Sequence, residues 1–180
     1  VVEDGASDYL MTSVAGTLGE DPALSTHTER ESNAQGTYSN LALSDNAANA
    51  VFKGEAIKLV SVASWSADSL FPPDNTVKAA AFVDNNKLAL VRDTDANGSK
   101  DTVSLYSFGA GTYQNVLSGA NIGGFAALQK KDGVNGYFAF AVASGLNKND
   151  IYLYKDNGAA VTSYDLEATD LIYQLSPVSY

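Results

Sequence analysis

The chain has 180 residues, of which 45% are hydrophobic, and 21 acidic against 11 basic residues give it a formal net charge of −10. This length allows one domain with a sizeable core, and the acidic balance repels nucleic acid backbones and anionic lipids. No apolar run approaches the roughly 20 residues that span a bilayer, so we expect neither nucleic acid binding nor membrane insertion. The absence of cysteine excludes disulfides, thiol catalysis and cysteine-ligated metals.

Residues 1–36 differ in composition from the rest, with seven acidic residues and one basic residue. Within residues 7–19, Leu10, Val14 and Leu18 recur four apart, which predicts a short helix. We interpret 1–36 as an acidic N-terminal arm that carries this helix and is either loosely held or docked on a neighbouring subunit. Because the chain opens without Met and without a signal-peptide pattern, we expect a processed mature form or a fragment.

Residues 37–180 are expected to form a β-rich globular domain. Their apolar runs are short, rich in β-branched, aromatic and leucine residues, and bounded by turn sequences. The strongest runs are 56–65, 87–93, 102–108, 137–144 and 150–154. Asn, Asp and Gly at 84–86, 132–133, 135–136 and 156–158 are typical of tight hairpin turns. The Pro72-Pro73 pair is expected to mark a bend or a subdomain edge.

The runs also repeat weakly along the chain. Val103 and Ile151 occupy matching places at a spacing of 48 residues, which predicts two consecutive four-strand meanders over 77–119 and 121–167. The predicted fold class is therefore all-β, with antiparallel meander, sandwich or partial propeller-like sheets and a short N-terminal helix or arm. A complete propeller needs more blades than this length supplies.

Residues 93–101, DTDANGSKD, place oxygen-bearing groups at alternate positions of a tight loop. The candidate ligands are the side chains of Asp93, Asp95, Asn97 and Asp101 and the backbone carbonyl of Ser99. Gly98 would supply the sharp reversal, and a hard cation with six to eight oxygen ligands suits this arrangement. The loop therefore predicts a Ca²⁺ site. The alternatives are an acidic hairpin turn that binds nothing, or a glycan on the Asn97-Gly98-Ser99 sequon, which would block the metal.

The pattern D-x-D-x-N-G-x-x-D resembles the calcium loops of dockerins, thrombospondin type 3 repeats and FG-GAP or VCBS-type repeats. A helix-flanked EF-hand would carry a bidentate Glu at loop position 12, where this chain has Ser104. The strand-like flanks resemble those of loops in extracellular β-propeller blades and pilus-tip adhesins. The resemblance covers 87–116 and implies a calcium loop between two adjacent strands.

The residues that catalysis usually needs are scarce. The single histidine, His27, lies in a polar stretch and is interpreted as a solvated loop residue. The sequence has no nucleophile elbow, zinc-protease motif or phosphate-binding loop. A glycosidase-type carboxylate pair leaves no local motif, so Asp68, Asp74, Asp150, Asp165 and Asp170 stay open as members of one. We expect a non-enzymatic protein.

Tyrosines are frequent in the C-terminal half. Tyr152 and Tyr154 share one strand face. If this face is exposed, its tyrosines either stack on sugars or form a subunit interface; otherwise they pack at the edge of the core. The single tryptophan, Trp65, is interpreted as a core anchor.

Together these features predict a calcium-stabilised structural or adhesive subunit, secreted or at the cell surface, in an appendage, filament, surface layer or matrix. Its expected partners are further copies of itself, another surface protein or glycans. The alternatives are a secreted carbohydrate-binding module, a virion surface protein and, as the weakest, a secreted hydrolase.

Overall fold

The computed structural model of the protein describes residues 2–4, 7–10, 29–31, 39–53, 57–61, 76–130, 134–145, 148–166 and 175–176. These residues contain strands and no helix, so the predicted all-β class is confirmed. The strands are β1 Val2–Asp4, β2 Ser7–Leu10, β3 Glu29–Glu31, β4 Ser39–Leu43, β5 Asn49–Lys53, β6 Ile57–Ser61, β7 Val77–Asp84, β8 Lys87–Arg92, β9 Thr102–Ser107, β10 Thr112–Ser118, β11 Ile122–Leu128, β12 Tyr137–Gly145, β13 Lys148–Lys155 and β14 Ala160–Leu166. In this part of the chain nothing is helical, long and apolar enough to cross a membrane.

The strands form four antiparallel sheets in which each strand pairs with its neighbours in sequence. Two of the sheets have three strands, β1–β3 and β4–β6, and two have four strands, β7–β10 and β11–β14. The four-stranded sheets span 77–118 and 122–166 and confirm the two consecutive meanders expected from the repeat. Antiparallel meanders need only short connections, and turn residues such as those at 84–86 and 156–158 supply them.

The first residues of the predicted N-terminal helix are not helical, so this part of the prediction was wrong. Ser7–Leu10 is strand β2, which pairs on both sides, so that Tyr9 lies opposite Val2 and Arg30. Three apolar residues four apart are a weak helix signal, and pairing with two neighbouring strands satisfies the same backbone groups. Residues 11–19, and with them the rest of the expected helix, lie outside the described residues. So do Trp65 and the Pro72-Pro73 pair.

Strand β8 is the centre of the core. Leu88 and Leu90 join one buried cluster with residues of β5, β6 and β7, whereas Ala89 and Val91 join a second cluster with residues of β9, β11 and β12. All four side chains are fully buried. Successive residues of a strand face opposite sides, so sheet β7–β10 is covered on both faces. This two-sided burial explains why the run LALV does not alternate with polar residues.

Strand β12 contributes side chains of the last sheet to the second cluster. Phe140 stacks on Tyr152 with ring centroids 5.6 Å apart, and Phe138 stacks on Tyr154 at the same distance. Both tyrosines pack against the buried cluster between sheets β7–β10 and β11–β14. The interpretation of Tyr152 and Tyr154 as residues at the edge of the core is therefore confirmed.

Hydrogen bonds also join the sheets at their turns. The Gln129 side chain donates to the Leu43 carbonyl and accepts from the Asp45 amide, both at 2.7 Å, and so links the end of β11 to the β4–β5 turn. The Lys130 amide donates to the Val83 carbonyl at 2.8 Å. Gly136 lies so close to the same Val83 carbonyl that a Cβ there would overlap it. Glycine at this position therefore lets the last sheet approach strand β7.

Candidate metal centre

The acidic loop 93–101 connects β8 to β9, and the two strands hold its ends together. Val91 lies opposite Val103 and Arg92 opposite Thr102, so the loop leaves and re-enters the same ladder. The Asp101 amide donates to the Arg92 carbonyl at 2.9 Å. The Asp93 amide donates to the Thr76 carbonyl, just before β7, at 2.8 Å. The first and last acidic residues are thus fixed by backbone hydrogen bonds.

The middle of the loop reverses direction at two residues with positive φ, and side-chain hydrogen bonds hold the turn. Ala96 has φ 59° and Gly98 has φ 90°, and the sequence had placed the reversal at Gly98. Asp95 accepts hydrogen bonds from the Asn97 amide at 3.2 Å and from Asn97 Nδ2 at 2.7 Å. The Ser99 amide donates to Asn97 Oδ1 at 2.7 Å. Each carbonyl or carboxylate oxygen accepts from the amide two residues later, which bends the loop inward.

Asp101 closes the loop from its far end. Its carboxylate accepts from the Thr94 amide at 2.9 Å, from Thr94 Oγ1 at 2.9 Å and from the Asp95 amide at 3.3 Å. Partial burial acts to raise the pKa of this carboxyl, but the hydrogen bonds from Thr102, Thr94 and Asp95 together outweigh it and lower the pKa below its usual value. Asp101 therefore carries its negative charge throughout the neutral range.

Asp93 is the buried member of the loop, with 2% of its surface exposed. Its Oδ2 accepts from the Gly98 amide at 3.0 Å and lies 3.5 Å from Lys78 Nζ on β7. Its Oδ1 is buried and has no hydrogen-bond partner among the residues that the structure describes. A buried carboxylate oxygen without a donor is costly, and a bound cation would remove that cost.

One carboxylate oxygen from each of Asp93, Asp95 and Asp101 lies within 4.8 Å of the others. Ca²⁺ binds oxygen at roughly 2.3–2.6 Å, so two ligands on opposite sides of one ion stand about 5 Å apart. The three carboxylates are therefore close enough to share a single ion. Asp95 is exposed, and Asp101 is half-buried, so an ion could be reached from solvent.

The structure brings together three of the five predicted ligands as an acidic group. Asn97 and Ser99 lie in the same loop, where Asn97 Oδ1 already accepts from the Ser99 amide, and their binding to a metal stays a prediction. Sequence reasoning missed Thr94, which positions Asp101, and Lys78, which faces Asp93. Lys78 reaches the site from another strand, so no pattern within the loop reveals it.

Of the candidate catalytic carboxylates, the structure brings two side by side. Asp150 and Asp165 lie opposite each other on β13 and β14, and Asp165 is exposed on the outer strand. Asp68, Asp74, Asp170 and His27 fall outside the described residues. The hydrolase alternative stays a prediction.

Comparison with family models and with curated protein sequences gives no match. Solved structures do show similarity. The chain aligns with a chain of the mitotic checkpoint complex at a TM-score of 0.54 and 14% identity, over 86% of this chain and 49% of that one. With TolB from Acinetobacter baumannii the TM-score is 0.54 at 12% identity, over 96% of this chain and 46% of the other. With the C-terminal WD40 domain of Sif2 the TM-score is 0.51 at 16% identity, over 91% of this chain and 45% of the other.

These likenesses concern the fold alone. WD40 domains are β-propellers, built from consecutive four-stranded antiparallel blades, and sheets β7–β10 and β11–β14 have that form. The chain spans less than half the length of each of these proteins. It is a partial propeller-type stack of sheets, with an acidic, metal-suited loop between the second and third strands of one sheet.

Proposed function

We propose that this protein is a non-enzymatic structural or adhesive component of an extracellular assembly, and that Ca²⁺ bound in loop 93–101 stabilises its propeller-type sheets. The observation that carries the proposal is the buried Asp93 carboxylate, whose Oδ1 has no donor within the described residues while Asp95 and Asp101 lie beside it. Three carboxylates in one loop repel one another, and a divalent cation removes both that repulsion and the unsatisfied oxygen.

Calcium suits this ligand set better than magnesium. Every group available in the loop is a hard oxygen donor, and the loop is shaped by its own hydrogen bonds rather than by a rigid octahedral cage. Mg²⁺ requires near-ideal octahedral geometry and keeps several waters, whereas Ca²⁺ accepts six to eight oxygens in flexible arrangements. Asp93, Asp95 and Asp101 would bind the ion directly, and Asn97 and the Ser99 carbonyl would complete its shell.

The weak binding expected of the proposed calcium site supports an extracellular location. The loop is mostly exposed, and Lys78 offsets part of the charge of Asp93. Both features weaken binding, and calcium sites of extracellular modules typically have dissociation constants of roughly 10⁻⁴ to 10⁻³ M. Such a site would be filled outside the cell and empty at cytosolic calcium levels. The proposed partners are further copies of the chain or another surface protein.

Thermal unfolding in CaCl₂, in MgCl₂ and in chelator tests the calcium site. At a hundred times the dissociation constant, Ca²⁺ should add about 2.7 kcal/mol to the free energy of unfolding. Asp95→Ala should abolish most of this gain, because it removes one exposed ligand and leaves the core intact. The matched control is Asp165→Ala, which removes an exposed carboxylate on β14 and should keep the gain. A wild-type protein that unfolds identically with Ca²⁺ and with chelator would refute the site.

Light scattering and electron microscopy test the assembly role. At high protein concentration, ordered particles much larger than a dimer are expected with Ca²⁺ and not with chelator. Their absence under both conditions would count against a structural subunit while leaving the metal site standing. The carbohydrate-binding alternative has lost one support, because Tyr152 and Tyr154 pack at the edge of the core rather than forming an open platform.

A further inference from the structure

Three asparagines of the chain are followed directly by glycine, at 97–98, 135–136 and 157–158. Such a pair is chemically labile, because glycine has no Cβ to hinder attack of its amide nitrogen on the preceding asparagine side chain. The attack requires that the side-chain amide and the glycine nitrogen approach each other. Hydrogen bonds that hold either group slow the reaction, because they must break first. The surroundings of the three pairs therefore decide which of them reacts in the folded protein.

The pair in the acidic loop is held at both of its reacting groups. Asn97 Nδ2 donates to Asp95 Oδ2, and Asn97 Oδ1 accepts from the Ser99 amide, both at 2.7 Å. The Gly98 amide donates to Asp93 Oδ2 at 3.0 Å. All these bonds must break before the Gly98 nitrogen can reach the Asn97 side chain.

The pair in the β13–β14 turn is held in a similar way. Asn157 Oδ1 accepts from the Ala159 amide at 2.9 Å. The Gly158 amide donates to the Lys155 carbonyl at 2.9 Å. The turn therefore fixes both the side chain and the nitrogen that would attack it.

The third pair, Asn135 and Gly136, precedes strand β12 and differs from the other two. Asn135 is exposed, and among the residues that the structure describes neither its side chain nor the Gly136 amide takes part in a hydrogen bond. Gly136 is held through its other groups instead. Its carbonyl accepts from the Asp156 amide at 2.9 Å, and the Val83 carbonyl lies where a Cβ would be. The attacking nitrogen and the side chain it would attack thus have no described hydrogen bond to break.

We propose that Asn135 is a modification site at which the folded protein deamidates without an enzyme. The Gly136 nitrogen forms a bond to Asn135 Cγ, the bond between Cγ and Nδ2 breaks, and the proton of the attacking amide leaves with the departing ammonia. Water then opens the cyclic imide at one of its two carbonyls. Opening at Cγ gives aspartate, and opening at the main-chain carbonyl gives isoaspartate, whose main chain contains one additional methylene. The net reaction exchanges ammonia for water and involves no oxidation or reduction.

The isoaspartate product has a structural consequence because of the place that Gly136 occupies. The additional methylene shifts Gly136 relative to the Val83 carbonyl on one side and to the Asp156 amide on the other. The modification therefore loosens the contact between the last sheet and strand β7. This inference goes beyond the proposed function and does not depend on calcium.

Incubation of the folded wild-type chain in chelator at mildly alkaline pH, followed by peptide mapping with mass spectrometry, tests the site. Asn135 should deamidate at least about tenfold faster than Asn97 or Asn157, because each of those pairs must first break two or more hydrogen bonds. The same incubation in urea that unfolds the chain is the control. The three pairs should then react at similar rates, because only the folded structure distinguishes them. Reaction in the folded chain that is as fast at Asn97 or Asn157 as at Asn135 would overturn the proposal, and so would no reaction at Asn135 while the unfolded chain reacts.

Urea unfolding of the modified protein tests the consequence. The isoaspartate form, separated by chromatography, should unfold at a lower urea concentration than freshly prepared Asn135→Asp. That variant is the matched control, because it carries the new negative charge without the additional methylene. Identical unfolding of the two would contradict the loosened contact with strand β7.

Discussion

The two four-stranded sheets are built alike but differ in the connection between their second and third strands. In sheet β11–β14, strands β12 and β13 meet in a tight hairpin where Gly145 lies opposite Lys148. In sheet β7–β10, the equivalent strands β8 and β9 are joined by the acidic loop 93–101. The second sheet shows that the meander forms without such a loop. The meander therefore does not require the loop, and the buried Asp93 supports the metal site proposed above.

The same two sheets differ in how completely they are covered. Sheet β7–β10 lies between two other sheets, whereas among the described residues only one face of sheet β11–β14 packs against another sheet. Stability should therefore be concentrated in the first sheet.

The largest expected effect compares one leucine in each sheet. Leu90 is fully buried between two layers, and Leu90→Ala should lower the free energy of unfolding by about 3 kcal/mol because it leaves a cavity. Leu153 on β13 is only half-buried, and Leu153→Ala should cost less than about 1.5 kcal/mol. Urea unfolding of both variants measures the two losses. Equal losses would show that the two sheets contribute alike.

The next effect concerns the junction between the sheets. Gly136→Ala forces a methyl group onto the Val83 carbonyl, and relief of that overlap should cost about 2 kcal/mol and weaken the hydrogen bond from the Lys130 amide to the same carbonyl. Gly109→Ala is the matched control, because a Cβ there meets no described atom within 4 Å. Urea unfolding of both variants measures the difference. If Gly136→Ala lowered the free energy of unfolding no more than Gly109→Ala does, the last sheet would be able to shift away from strand β7 at little cost.

A smaller effect isolates the charge that Lys78 brings to the acidic loop. Lys78 Nζ is 3.5 Å from Asp93 Oδ2, and its removal should strengthen cation binding by about 1 kcal/mol, or roughly fivefold, given the high dielectric of an exposed side chain. Titration calorimetry of Lys78→Met with Ca²⁺ measures this. Lys130→Met, which removes a lysine paired with Asp84 instead, provides the control for net charge. Weaker binding in Lys78→Met would show that Lys78 supports the site rather than competing with the ion.

The smallest effect is the acid response of the loop. Since the pKa of Asp101 is lowered below its usual 3.8 in the folded protein, its charged form stabilises the fold above that value. This contribution is lost as the pH falls from 3.8 through the lower folded pKa. Asp101→Asn should therefore flatten the acid end of the stability curve, and Thr94→Val should flatten it partly. Denaturant unfolding at several acidic pH values, in chelator, measures the slopes, and identical slopes would contradict the role of Thr94.

The sequence was informative wherever a feature is local. Runs such as 87–93 and 102–108 became strands β8 and β9, and the weak repeat located both meanders to within a few residues. The acidic group at Asp93, Asp95 and Asp101 was visible because one tight loop contains it. Features that depend on which strands pair could not be predicted from the sequence, because residues far apart in the chain decide the pairing. This is why Ser7–Leu10 was expected to be helical and why Lys78 was missed.

The Gln129 side chain has a consequence for how the chain folds during synthesis. It holds the β4–β5 turn through Leu43 and Asp45, which precede it by 86 and 84 residues. Sheet β4–β6 ends at Ser61, so the ribosome must add 68 more residues before Gln129 exists. At typical synthesis rates of roughly 5–20 residues per second, that delay lasts roughly 3–14 s. During that interval the nascent sheet β4–β6 lacks both hydrogen bonds to Gln129, so its first turn is held by local contacts alone.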